Sequence, residues 1–192
     1  MYTPGMDTVE RLIASTQELL WERGYVGTSP KAIQERAGAG QGSMYHHFRG
    51  KPDLAVTAMR RSAAELRAQA DAVLGEGDSA VARLGGYLER ERDPLRGCRV
   101  GRMAMDPEVI GSEELRRPVD ETFTWLRDRL AGIVAEGVAT GELSAELDPS
   151  DTAAAVAAVV QGGYVLARAA GSREPFDRAV RGAAALLAAA RA

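Results

Sequence analysis

The chain has 192 residues, of which 45% are hydrophobic but only 5% aromatic, with a formal net charge of −3 and one cysteine, Cys98. One cysteine excludes an internal disulfide framework and a cysteine-rich zinc site, and the mild acidity excludes a protein that coats nucleic acid over its whole surface. Alanine and glycine are abundant and strand-forming residues are few, so the composition predicts an all-α fold.

Charge is unevenly distributed along the chain. Residues 1–60 contain 7 Lys+Arg against 6 Asp+Glu, whereas residues 61–192 contain 17 against 21. A surface that binds a polyanion is therefore expected near the N-terminal end. Met1 to Met6 lack the basic start and apolar run of a signal peptide, and no run of about 18 apolar residues predicts a membrane span. We expect a cytoplasmic protein that does not associate with membranes.

Three short helices are predicted before residue 50. Apolar residues recur at helical spacing from Asp7 to Arg23. Ser29 and Pro30 are a capping residue and a first-turn proline, and Gly38 ends this second helix. After a tight turn, Gln41 to Phe48 form the third helix. Two short helices joined by a glycine-containing turn are typical of a helix-turn-helix.

The helices that follow are longer, apart from one short segment. Capping residues and apolar periodicity predict them over 51–74, 79–93, 100–105, 112–141, 148–170 and 174–191. The chain would then have about nine helices. Residues 148–170 are apolar almost all round, which predicts burial against more than one neighbour.

The most informative stretch runs from Gly24 to Leu54 and reads GYVGTSPKAIQERAGAGQGSMYHHFRGKPDL. Its marker residues are Gly24-Tyr25, Thr28-Ser29, Ile33, Ala37-Gly38, Tyr45-His46-His47-Phe48, Lys51 and Leu54. At this spacing the chain resembles the TetR/AcrR family of bacterial transcriptional regulators over residues 10–56. The resemblance implies an N-terminal three-helix helix-turn-helix DNA-binding domain, residues 1–50, and a C-terminal helical ligand-binding and dimerisation domain, residues 51–192.

Small residues at the start of the third helix allow it to approach DNA closely in the major groove. Tyr45 and Lys51 suit phosphates. The side chains best suited to base edges are Gln41, Ser43 and His46. The expected DNA-binding residues are Ser29, Lys31, Gln41, Gly42, Ser43, Tyr45, His46, His47 and Lys51. For His47, packing beside Phe48 is an equally good interpretation.

The chain departs from the family pattern at a few positions. Gly40 stands where the family usually has a serine cap, and Leu20 replaces a phenylalanine. Gln34 stands where a small residue is usual, so we expect its amide to turn towards solvent. The segment before the first helix has no Arg or Lys, so no basic arm in the minor groove is expected.

The family resemblance also implies a homodimer through the last two helices. Such a dimer would bind a palindromic double-stranded DNA operator, and an unknown small apolar or amphipathic effector would release it. Gly162 and Gly163 permit close packing of helices, either between the two copies of such a dimer or within one chain. The alternative is a helix-turn-helix regulator without a ligand pocket, which a protein partner controls or which acts constitutively.

Methionine and aromatic side chains suit an adaptable apolar pocket, and Arg102 suits an anionic ligand. The same residue types also build ordinary cores, and an arginine often forms a solvated ion pair. The candidate ligand-binding residues are Tyr87, Arg102, Met103, Phe123, Trp125, Leu126 and Tyr164.

Catalytic chemistry has little support in the sequence. There is no phosphate-binding loop and no metal-ligand spacing, and the two histidines are adjacent within the helix-turn-helix. We therefore expect no enzyme activity, no metal and no cofactor. Cys98 lies among Arg96, Arg99 and Arg102, which favour a thiolate. A redox-active residue and an ordinary helix-start residue remain its two interpretations.

Overall fold

The computed structural model describes residues 7–192, and this part of the chain contains ten α-helices and no β-strand. The helices are α1 (Thr8–Arg23), α2 (Pro30–Ala37), α3 (Gln41–His47), α4 (Lys51–Leu74), α5 (Ala80–Glu89), α6 (Arg99–Met103), α7 (Pro107–Gly111), α8 (Glu113–Ala139), α9 (Pro149–Ala170) and α10 (Glu174–Ala189). The all-α fold is confirmed. The expectations about Met1 to Met6, no signal peptide and no basic arm, lie outside the described residues.

Capping residues bound α2 and begin α9 where the sequence predicts. The Ser29 hydroxyl accepts the Ala32 N–H at 3.2 Å at the start of α2, and Gly38 ends that helix in the left-handed conformation. The Asp148 carboxylate accepts the Asp151 N–H at 2.8 Å at the start of α9. Each bond satisfies an N–H that the helix itself leaves unpaired, which explains why these boundaries are evident from local sequence.

The prediction of about nine helices missed α7. We expected Asp106 and Pro107 to close the preceding segment, but they open a new helix of five residues. The Asp106 carboxylate accepts the N–H groups of Glu108 and Val109 at 3.1 and 3.4 Å. Proline tolerates the first helical position because no intrahelical hydrogen bond is lost there.

The chain divides into two compact units. The N-terminal unit contains the described residues up to Glu65 together with Arg99–Glu121, and the C-terminal unit contains Leu66–Cys98 with Thr122–Ala192. Contacts of α1 with α6 explain why the N-terminal unit includes residues far beyond position 50. The expected DNA-binding domain, residues 1–50, is a subset of this unit, and its boundary remains a prediction.

Apolar side chains from successive helices form the core of the N-terminal unit. Leu12 and Leu19 of α1 are buried with Ile33 of α2 and Met44 of α3. The α1 helix contacts both α2 and α3, so the three helices pack as one group. Burial of Met44 fixes which side of α3 faces inward and leaves its other side exposed.

The C-terminal unit has its own core, in which α10 packs against α9 and α5. The sequence predicted burial of α9 against more than one neighbour, and the single chain leaves part of the helix uncovered, because Val165 is 57% exposed and Leu166 is 53% exposed. By length and composition alone, α9 meets the criteria for a membrane span, contrary to the sequence expectation. One side of α9 nevertheless lies in the core, and the buried helix of a globular protein meets the same criteria.

Candidate functional site

The helix-turn-helix is formed by α2, the turn at residues 38–40 and α3. The Ala39 N–H donates to the Gln34 carbonyl at 3.0 Å, and the Ser43 N–H donates to the Gly40 carbonyl at 3.1 Å. The Gln34 amide was expected to turn towards solvent. It instead donates to the Met44 sulfur at 3.6 Å, which links α2 to the buried side of α3.

The outer side of α3 consists of residues that the sequence singled out. Gln41, Gly42, Tyr45, His46 and His47 are exposed, and Ser43 is half-buried. Ser29 and Lys31, beside the first turn of α2, are exposed as well. Lys51, at the start of α4, is half-buried. The helix-turn-helix therefore leaves most of the expected DNA-binding residues accessible.

Gly40 and Gly42 have no structural need to be glycine. A Cβ atom at either position would meet no atom of the described chain within 4 Å. Neither glycine has a positive φ, so the backbone conformation does not require glycine at these positions either. Glycine at these two positions adds no side chain to the exposed start of α3, so another molecule could approach the backbone closely there.

The two adjacent histidines contact each other edge to face, with ring centroids 4.8 Å apart. Both are exposed, whereas the neighbouring Phe48 is only 8% exposed. The exposure of His47 therefore does not support the interpretation that its side chain packs into the domain core beside Phe48. Both imidazoles are accessible for hydrogen bonds at the end of α3.

Lys51 has a partner that the sequence analysis did not assign. Its ammonium nitrogen lies 3.8 Å from the centroid of the Tyr25 ring, a cation–π contact that holds the side chain in place. Burial lowers the pKa of Lys51, while the Glu108 and Asp106 carboxylates act in the opposite direction. The signal for Tyr25 was present in the Gly24-Tyr25 marker, which the sequence analysis used for recognition without giving Tyr25 a role.

Several basic side chains of the helix-turn-helix are paired with carboxylates. Arg36 donates two hydrogen bonds to the Glu22 carboxylate, at 2.9 and 2.8 Å, a two-point pairing that fixes its orientation. Lys31 lies 3.8 Å from Glu35, an exposed pair that contributes little to stability. The α3 segment itself has no acidic residue, so no carboxylate of α3 opposes an anionic partner.

Asp106 is a second residue that the sequence analysis missed. Besides capping α7, its buried carboxylate accepts the Val26 N–H at 3.0 Å. A Cβ atom at Gly24 would lie 2.8 Å from an Asp106 carboxylate oxygen, so glycine is needed there for both its φ of 76° and this approach. Asp106 thus fixes the segment that joins α1 to α2, within the N-terminal unit.

The candidate ligand-binding residues fall into two groups. Tyr87, Leu126 and Tyr164 belong to the core of the C-terminal unit, and Phe123 and Trp125 pack against that core. Burial raises the pKa of both tyrosine hydroxyls, so they are neutral. Arg102 and Met103 belong to the N-terminal unit. The ligand-binding role of all seven remains a prediction.

Two hollows are relevant to ligand binding. Met103 lines one in the N-terminal unit with Trp21 and Arg99, and its volume of about 10 Å³ holds a single water molecule. The other, in the C-terminal unit, has a volume of about 140 Å³ and a polar lining that includes Arg83 and Glu142. None of the five candidate residues of the C-terminal unit lines either hollow.

The remaining features of the described residues concern a metal site and the surroundings of Cys98. The described residues contain no group of three His, Cys, Asp or Glu side chains that would hold a metal ion. Cys98 is a half-buried cysteine directly before α6 in the sequence. Its two interpretations remain open.

Comparisons with known proteins show similarity along most of the chain. The family model "Bacterial regulatory proteins, tetR family" matches residues 12–58, and "Tetracyclin repressor-like, C-terminal domain" matches residues 78–183. The transcriptional regulator AcuR of Cereibacter sphaeroides is 29% identical over 153 residues, which cover 76% of this chain and 69% of AcuR.

Solved structures agree in fold. A TetR transcriptional regulator from Chloroflexus aurantiacus is 27% identical, with a TM-score of 0.84 over 96% of each chain. The regulatory protein TetR from Rhodobacter sphaeroides is 26% identical, with a TM-score of 0.80 over 91% of this chain and 96% of its own.

Proposed function

Because the chain belongs to the tetR family of bacterial regulatory proteins, we propose that it is a repressor that binds a palindromic operator and leaves it when a small apolar or amphipathic effector binds. The matched relatives are transcriptional regulators and not enzymes. The observation that carries the proposal is the outer side of α3, where hydrogen-bonding side chains are exposed around Gly42, whose Cβ position meets no atom of the described residues. A regulator of this kind acts on the chromosome, in the cytoplasm.

The side chains divide between two tasks at the operator. Tyr45 and Lys51 contact phosphates, and the exposed Ser29 and Lys31 extend this contact to the start of α2. Gln41, Ser43 and His46 contact base edges in the major groove, with His47 beside them. Phosphate contacts fix the position of α3, and base-edge contacts select the sequence.

The exposed apolar surface of α9 and α10 supports a homodimer. Val165 and Leu166 on α9 are more than half exposed, and Leu186 on α10 is 74% exposed. Large apolar side chains that one chain leaves uncovered on two packed helices fit burial against a second copy. A two-fold dimer matches the symmetry of a palindromic operator.

Effector control requires an element that connects the helix-turn-helix to the C-terminal unit. The α4 helix is continuous from Lys51 to Leu74, and it contributes to both compact units. Lys51, the first residue of α4, is proposed to contact a phosphate. An effector bound in the C-terminal unit would change operator affinity by moving α4, and operator binding would reduce effector affinity by the same factor.

Selection of binding sites from random double-stranded DNA tests the proposal. The wild-type protein is expected to enrich an inverted repeat whose half-sites are centred about one helical turn, roughly 34–36 Å, or somewhat more apart. Enrichment of no sequence would contradict a sequence-specific regulator. Enrichment of one isolated half-site would contradict a two-fold dimer.

A second candidate is a regulator without a ligand pocket, which a protein partner controls or which acts constitutively. It is favoured by the hollow beside Met103, which holds only one water molecule, and by the packing of Tyr87 and Leu126 into the core. Operator affinity measured with a panel of apolar and amphipathic compounds separates the two. Release by one compound class supports the first candidate, and no release by any class supports the second.

A further inference from the structure

Two arginines at the end of α5 lie against the aromatic core of the C-terminal unit. The guanidinium carbons of Arg90 and Arg92 are 5.4 and 5.1 Å from the centroid of the Tyr87 ring, which is almost completely buried. Arg92 is also 5.9 Å from the Phe176 ring, and that ring lies 4.9 Å from Tyr164. The two cations therefore adjoin a wall of three aromatic side chains.

The hydrogen bonds of Arg92 fix its position but leave one donor unused. Its terminal nitrogens donate to the backbone carbonyls of Leu88, Arg90 and Tyr87, at 2.8, 3.0 and 2.5 Å. These carbonyls lie at the C-terminal end of α5, where a helix leaves its last acceptors unpaired. The Nε atoms of Arg90 and Arg92 are both buried and have no hydrogen-bond partner among the described residues.

Neither arginine has a carboxylate partner within the described part of the chain. No carboxylate there forms an ion pair with Arg90 or Arg92, in contrast to Arg83 on the same helix, which pairs with Glu136. Burial lowers the pKa of Arg92, and the neighbouring Arg90 lowers it further. A second positive charge beside a cation that is already partly desolvated is costly, and an anion between the two would remove that cost.

We propose that Arg90 and Arg92 bind the carboxylate of an amphipathic organic acid, whose hydrocarbon part packs against Tyr164 and Phe176. A carboxylate suits these donors because it has an acceptor oxygen for each of the two unpaired Nε–H groups. The aromatic wall favours an acid with an apolar chain over inorganic sulfate or phosphate. This assignment rests on the proposed function, since it names the chemical class of the effector.

Thermal unfolding of the full chain, without DNA, tests the site. The probes are sodium butyrate and sodium hexanoate, compared with sodium chloride and sodium sulfate at equal ionic strength. The variants are Arg90→Met and, as a control, Arg127→Met, which removes an exposed arginine of α8. Arg90→Met is the informative change because the Arg90 side chain makes no hydrogen bond with the described residues that its loss would break.

In chloride, Arg90→Met is expected to unfold at the same temperature as the wild type or higher, because the repulsion on Arg92 is removed. Hexanoate at a hundredfold excess over its Kd is expected to raise the Tm of the wild type and of Arg127→Met by about 5–10 °C, and butyrate by less. Arg90→Met is expected to lose this increase. Equal increases in wild type and Arg90→Met, or an increase with sulfate that depends equally on Arg90, would overturn the proposal.

Operator binding by the same proteins separates this proposal from the proposed function. Hexanoate is expected to weaken operator binding by the wild type at least tenfold and to leave Arg90→Met bound. A thermal shift that depends on Arg90 without any change in operator affinity would overturn the effector assignment. Failure of the wild type to bind any selected operator would contradict the proposed function, and the thermal shift would still decide whether the site exists.

Discussion

The Asp106 carboxylate accepts the backbone N–H of Val26 at 3.0 Å, although 80 positions separate the two residues in the sequence. The same buried carboxylate caps α7, so one side chain satisfies N–H groups of two distant segments. Val26 belongs to the loop between α1 and α2, so this hydrogen bond holds the loop that leads into the helix-turn-helix. The orientation of the helix-turn-helix therefore depends on a residue outside it.

Asp106→Ala is expected to reduce the free energy of unfolding by about 2–4 kcal/mol, because three backbone N–H groups, those of Val26, Glu108 and Val109, lose their acceptor. Operator affinity is expected to fall for all sequences alike. The control is Asp148→Ala, which removes the equivalent cap before Pro149 of α9 and touches no part of the helix-turn-helix. Denaturant unfolding and operator titration measure both effects. An equal loss of operator affinity in the two variants would contradict the role assigned to Asp106.

Gly42→Ala is expected to separate folding from DNA binding. A Cβ atom at Gly42 meets nothing in the described chain, and alanine favours helix by up to about 1 kcal/mol over glycine. Stability should therefore stay equal or rise, while operator affinity falls about tenfold or more because α3 approaches the DNA less closely. Gly132→Ala, at an exposed helical glycine of α8, is the control. Unchanged operator affinity in Gly42→Ala would show that α3 does not approach the DNA closely at Gly42.

Lys51→Ala is expected to weaken binding to every DNA sequence and to reduce the slope of log affinity against log salt by about one unit. The reason is the loss of one phosphate contact from an ammonium that Tyr25 holds in place. Arg60→Ala removes an exposed arginine further along α4 and serves as the control. If the salt slope of Lys51→Ala equals that of the wild type, Lys51 does not contact a phosphate.

His46→Ala is expected to change sequence preference more than overall affinity. Loss of a base-edge hydrogen bond should reduce discrimination at one base pair of each half-site by about 1–3 kcal/mol. Titrations against operators with single base-pair changes locate the position. The same measurement on His47→Ala shows whether the second exposed imidazole also contacts a base. A uniform loss across all operators would assign His46 to the DNA backbone instead.

Leu166→Glu is expected to convert the protein to a monomer at micromolar concentration and to reduce affinity for the palindromic operator at least a hundredfold. A charged side chain on the exposed apolar surface of α9 would oppose burial against a second copy. Leu95→Glu, which alters an exposed leucine outside α9 and α10, is the control. Light scattering gives the mass of each variant, and a Leu166→Glu dimer with full operator affinity would contradict this interface.

Local features were predictable from the sequence, whereas long-range partners were not. Ser29 and Asp148 cap helices whose N–H groups lie three residues away, so short patterns were sufficient to place them. The same kind of pattern at Asp106 was misinterpreted as the end of the preceding segment, and its bond to Val26 was not predictable because the two residues are adjacent only after folding. The phosphate contact of Lys51 remains a prediction, and its contact with Tyr25 was not predictable because it depends on the packing of α4.

Burial of apolar and charged groups was also difficult to predict. An apolar helix such as α9 has the same sequence whether its own chain or a second copy covers it, so the exposure of Val165 and Leu166 was not evident. Arg90 and Arg92 follow an amphipathic helix, where arginines are usually solvated, and only the structure shows their buried Nε atoms. The separation of Met103 from Tyr164 into different units likewise depends on tertiary contacts.

Fluorescence anisotropy titration of the wild-type protein is the most direct test of sequence-specific operator binding. The selected inverted repeat is compared with a scrambled duplex of the same length and composition, at one stated salt concentration. The account predicts binding to the inverted repeat at least about a thousandfold tighter than to the scrambled duplex. Equal affinity for the two duplexes would contradict it.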